Sequence, residues 1–195
     1  MEEQIIVREL TFNDEEGAGV TCISIVDEPA IMADFVALSA KEQNTPVIPV
    51  KMAAVQDGER RMLYGPALIP DLKIQRGVNF YITFSSATIQ KAAHGYLRTG
   101  MQGSTNLQHS EPLEGVTVVD SWLKEFDTDK SNGFGFDHPV GTWFVGMECR
   151  NDKVWEEVKA GTFKGFSIEA GFTAASDKVM TAEDAAIEEL QSLLK

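Results

Sequence analysis

Lys164-Gly165-Phe166-Ser167-Ile168-Glu169-Ala170-Gly171-Phe172 alternates apolar residues with small or polar ones at a period of two. Alternate side chains of a strand face opposite sides, so Phe166, Ile168, Ala170 and Phe172 form one apolar face. Gly165, Ser167, Glu169 and Gly171 form the other. That second face is bare around a serine and a carboxylate, which lets a second backbone approach closely. The same pattern also fits an edge strand whose outer face is solvated, and the stretch alone leaves both readings open.

The surrounding sequence repeats the alternation of strands with short helices. Thr142–Cys149 is apolar on both faces except Glu148, as a central strand requires. Gly115–Leu123, Phe80–Phe84, Arg61–Ile69 and the β-branched run Gly19–Val26 read as further strands, and Glu3–Phe12 as another candidate. Ser85 or Ser86 caps a helix running to Arg98, whose Ile89, Ala92, Ala93 and Tyr96 share one face. Asn151-Asp152 opens a second helix that Gly161 closes. Thr181 and Asp184 fit a capping box at the head of an amphipathic tail.

Ile31–Leu38 is expected to form a short helical turn, Val47–Val50 a short strand, and Thr105–Ser110 a short strand that includes His109. Phe126–Pro139 is expected to be an irregular loop, and little strand is expected after Phe172 beyond Lys178-Val179-Met180. The whole reads as α+β, a mostly antiparallel sheet or small barrel with packed helices. The organisation expected is an N-terminal arm and linker over 1–59, a main domain over 60–176, and an amphipathic helix over 177–195.

With 195 residues, 43% of them apolar, the chain can bury one core. A net charge of −13 argues against nucleic acid and against anionic membrane surfaces, because both are held by Lys and Arg. The acidic start, Met1-Glu2-Glu3-Gln4, is unlike a signal peptide. Cys22 and Cys149 sit in apolar runs and read as reduced core thiols. No zinc spacing or phosphate loop is present, so no cofactor and no metal are expected.

Chemistry therefore centres on the serine. Its hydroxyl needs a base, and histidine is the usual one. Of three histidines, His94 lies within a helix and His138 within the polar loop, where solvated roles are the default. His109, at the end of a short strand, can reach a site from a rigid support, although any of the three could be structural.

The segments Tyr64–Pro70, Tyr81–Ser85, Leu107–Ser110, Val118–Trp122, Gly141–Met147 and Gly165–Glu169, in this order, resemble the phage serine proteases of the XkdF type. These are relatives of prohead proteases and, more distantly, of herpesvirus assemblins. Gly19–Leu38 also resembles the leader of such proteins.

The resemblance implies an assemblin-like fold and a serine endopeptidase that trims scaffold and capsid proteins, and itself, during prohead maturation. It would act in the host cytoplasm, inside the assembling prohead. Phage capsid and scaffold proteins would be its partners, and a homo-oligomer is compatible. The resemblance places the catalytic histidine on His109 and the serine on Ser167.

The third member is less determined. Glu169, two residues from Ser167, lies on the same strand face about 6.5–7 Å away. Asp120, Glu148 and the tail acids Asp177, Glu183 and Asp184 are alternatives, as is a dyad with no acid. Backbone donors for an oxyanion could come from a glycine-containing turn such as Arg76-Gly77. The competing expectation is a non-catalytic capsid-assembly protein on the same fold.

Overall fold

The computed structural model describes residues 4–12, 19–31, 35–38, 60–181, 184, 187 and 191. In chain order the strands are β1 (Gln4–Thr11), β2 (Val20–Val26), β3 (Val36–Leu38), β4 (Met62–Leu68), β5 (Ile74–Gly77) and β6 (Phe80–Thr83). Next come β7 (Thr105–Leu107), β8 (Glu111–Pro112), β9 (Val116–Leu123), β10 (Trp143–Cys149), β11 (Gly165–Ala170) and β12 (Thr173–Thr181). The helices are α1 (Ser86–Arg98), α2 (Lys130–Gly133) and α3 (Asp152–Lys159).

The strands form three four-stranded sheets, ordered β12-β1-β6-β5, β3-β4-β10-β9 and β11-β2-β7-β8. Among the described pairings, β1 with β6 and β2 with β7 are parallel. The others are antiparallel. The fold is therefore α+β with mixed, mostly antiparallel open sheets. One core joins them: Ile23 and Ile25 of β2, Val145 and Met147 of β10, Phe166 of β11 and Ile89 and Tyr96 of α1 are all essentially inaccessible. That accounts for the continuous apolarity of β10, which lies between β4 and β9.

Helix ends follow the sequence signals. The Ser85 hydroxyl accepts from the Thr88 N–H, and the Asn151 side chain from the Val154 N–H, each satisfying an orphan donor of the first turn. Gly161, at φ 75°, closes α3. Thr181 and Asp184 bond reciprocally, and Asp184, Ile187 and Gln191 are helical.

Several segments depart from expectation. Val36–Leu38 is a strand on β4, not part of a helical turn; Val47–Val50 lies outside the described residues. The polar loop contains α2, which forms because Asp129 and Asn132 make a reciprocal capping box. β5 was not visible as a strand, because three of its four residues are exposed and carry no alternation.

The largest difference is β12, a nine-residue strand that begins just after Phe172 and pairs with β1 along its length. Its residues are nearly all exposed, so no apolar alternation marked it. Its partner comes from the far end of the chain. β2 likewise lies between β11 and β7, in the middle of its sheet.

Gly146 is required by close approach in β10: a Cβ there would come within 2.5 Å of Tyr64 Cε1 and 2.9 Å of Asp120 Cβ. The Tyr64 ring cannot retreat freely, since it stacks on Phe134 at 4.4 Å. Gly146→Ala is expected to cost about 1–3 kcal/mol, the usual range for overpacking. A lower urea midpoint at unchanged slope would report it.

Candidate functional site

The site is built on the sheet β11-β2-β7-β8. Register places Ser167 of β11 opposite Ser24 of β2, and Ser24 beside Asn106 of β7. A polar row thus crosses three strands. In the neighbouring row Glu169 stands opposite Cys22. His109 reaches this face from the turn after β7, not from a strand, which corrects the expectation for Thr105–Ser110. Gln108 and His109 both have positive φ, 51° and 58°, and the Ser110 N–H bonds the Leu107 carbonyl across the turn. Positive φ at both central residues is the geometry of a tight turn joining antiparallel strands, here β7 and β8, at roughly 1–2 kcal/mol for each non-glycine residue.

Four side chains converge. His109 Nδ1 lies 3.0 Å from Glu169 Oε1 and 3.0 Å from Ser24 Oγ. Asn106 Nδ2 donates to the same Oε1 at 2.5 Å, and Ser24 Oγ donates to it at 3.3 Å. With Glu169 ionised, a lone pair on Nδ1 would face a negative oxygen. In the neutral imidazole Nδ1 therefore carries the proton and the lone pair lies on Nε2. The Asn106 hydrogen bond, more than any other influence, holds the Glu169 carboxyl below the ordinary carboxylate range; burial opposes it, and His109 and Ser24 add to it. Asn106 Oδ1 is buried with no hydrogen-bond partner among the described residues, a cost accepted while the amide's other end serves Glu169.

This arrangement yields a prediction. Asn106→Ala should raise the Glu169 titration midpoint towards its ordinary value of 4.5. Carboxyl-carbon NMR across an acid titration would measure it, and an unmoved midpoint would contradict the assignment. Because the folded value is depressed, the stability tied to Glu169 is present above pH 4.5 and lost as pH falls through that lower value.

His109 and Glu169 are thus brought together. The hydroxyl in contact with the imidazole is that of Ser24, a residue that sequence reasoning did not single out. Its one signal was a lone polar residue between Ile23 and Ile25, which are fully buried. Ser24 is itself 0% exposed, so a substrate carbonyl has no route to it, whereas Ser167 is partly exposed. Antiparallel partners lie about 4.5–5.5 Å apart between Cα atoms, so Ser167 stands one strand from the hydroxyl that meets His109.

The alternative acids are engaged elsewhere. Asp120 pairs with Lys130, Glu148 with Arg150, Asp177 with Arg8, and Asp184 with Thr181. Glu183 lies outside the described residues. Arg76 and Gly77 end β5 and are not a turn; Arg76 lines a groove together with Ser167. His94 is exposed, while His138 is half-buried, stacked on Phe136, with burial holding its pKa down. Cys22 and Cys149 are free and buried, and burial pushes both thiols up, away from the nucleophilic thiolate.

The family model described as "Putative phage serine protease XkdF" matches residues 49–177, about two thirds of the chain. The chain belongs to that family. His109, Ser167 and Glu169 fall inside the matched span, and Ser24 outside it. YqbD, an uncharacterized protein of Bacillus subtilis (strain 168), is 28% identical over 151 residues, 77% of this chain and 44% of YqbD. The phage-like element PBSX protein XkdF of the same organism is 27% identical over 154 residues, 77% of this chain and 52% of its own length. The chain spans about half the length of these curated relatives. No solved structure matches.

Proposed function

We propose that the chain is a serine endopeptidase in which Ser167 is the nucleophile, His109 the general base and Glu169 the acid that orients it. The observation that carries this reading is the 3.0 Å contact of His109 Nδ1 with Glu169 Oε1, two residues from Ser167 on one strand. Family membership at the level of a phage serine protease supports it. In the reaction, Ser167 Oγ attacks a peptide carbonyl and gives its proton to Nε2. The imidazolium then returns that proton to the leaving amine, and water repeats the sequence on the acyl-enzyme. Glu169 stabilises the imidazolium as it forms.

The substrates proposed are the scaffold and capsid proteins of the phage, cut inside the assembling prohead in the host cytoplasm, with self-cleavage as a further activity. The assemblin-like character and a homo-oligomeric state belong to the same proposal. One observation favours the alternative, a non-catalytic assembly protein: the imidazole is engaged by buried Ser24, and no hydrogen bond joins it to Ser167.

Co-expression with the capsid and scaffold proteins separates the two, with intact mass compared between wild type and Ser167→Ala. Processing in the wild type alone supports the endopeptidase. Processing that survives the substitution removes Ser167 from the mechanism, and no processing in either supports the assembly role.

A further inference from the structure

β11 is the last strand of its sheet, so its outer backbone groups have no strand partner among the described residues. Along it runs a groove of about 370 Å³, within the size range of sites that take a side chain or small ligand. Its floor is apolar: Leu68, Ile74, Ile82 and Phe84 are all buried there. Ser167 and Glu169 line one side, and exposed Arg76 another. Arg76 has no ion pair among the described residues. In a chain of net charge −13, Arg76 puts an exposed cation beside an apolar groove whose other charged lining residue, Glu169, is engaged by Asn106 and His109. An open strand edge, a row of apolar contacts and an exposed cation are the elements of strand-addition recognition. In that mode the main chain supplies affinity and alternate side chains supply selectivity.

We propose that this groove binds the substrate polypeptide as an extended strand added to β11, seating an apolar side chain on the Ile74–Ile82–Phe84 floor and drawing an acidic side chain to Arg76. This deepens the endopeptidase reading and rests on it for the word substrate, but binding itself needs no chemistry. The test uses the Ser167→Ala chain and fluorescein-labelled decapeptides followed by anisotropy. One peptide alternates leucine and aspartate, one leucine and lysine, and one serine and aspartate.

The leucine–aspartate peptide is expected to bind at least about tenfold more tightly than either of the others. Arg76→Glu should invert the preference between aspartate and lysine. Ala30→Trp, which fills the groove from its half-exposed rim, should weaken the leucine peptides about tenfold. Thermal melts confirm folding of each variant, and Arg76→Glu, at an exposed position, keeps the test informative if Ala30→Trp unfolds. Equal binding of the three peptides, or a preference unmoved by Arg76→Glu, overturns the groove assignment even if wild-type protein cleaves its partners. Selective binding without any cleavage by the wild type would keep the groove and remove the protease.

Discussion

Ser167→Ala is expected to lower turnover about 10⁶-fold, the scale on which loss of the nucleophile falls in triad enzymes. Ser24→Ala should cost only about tenfold. Ser24 makes two hydrogen bonds, to His109 Nδ1 and Glu169 Oε1, at the orienting end of the imidazole, and their joint loss at about 0.5–1 kcal/mol each amounts to roughly tenfold. It is also sealed within the sheet, and the family match that spans the other three residues begins after it. Initial rates on a peptide that the wild type is found to cleave would give both numbers. Comparable losses from the two substitutions would mean that the buried hydroxyl takes part in the chemistry.

Glu169→Gln is expected to lower turnover about 10⁴-fold, since an amide in place of the carboxylate no longer fixes the tautomer or stabilises the imidazolium. Asp120→Asn should leave turnover nearly unchanged. Asp120 is tied to Lys130, which lies over the Trp122 ring at 3.8 Å, on a different sheet from His109. Its loss removes a partly exposed ion pair of about 0–1 kcal/mol in stability. The reverse order, with Asp120→Asn the more damaging, would move the acid to the neighbouring sheet.

Elements with a strong apolar pattern were legible in the sequence, and those made by pairing alone were not. β10 and α1 bury their faces in the core, so periodicity marks them. β12 buries almost nothing and exists because β1 offers it a partner from the opposite end of the chain. Within the site, an alternating strand and a short list of histidines made Ser167, Glu169 and His109 candidates, and the resemblance to the phage serine proteases is what placed the serine and histidine roles on Ser167 and His109. Ser24 and Asn106 could not be singled out. Their meeting depends on β2 entering between β7 and β11, a long-range pairing that local sequence does not encode. β2, within the segment expected to be an arm, supplies Ser24, which with Glu169 holds the imidazole at Nδ1.

Whether the imidazole oriented by Glu169 activates Ser167 is tested most directly with a fluorophosphonate. Such a reagent bonds covalently to an activated serine oxygen as fluoride leaves. Peptide mapping by mass spectrometry is predicted to place the adduct on Ser167, with labelling lost in His109→Ala. An adduct on Ser24, or labelling of Ser167 that persists without His109, would contradict the account.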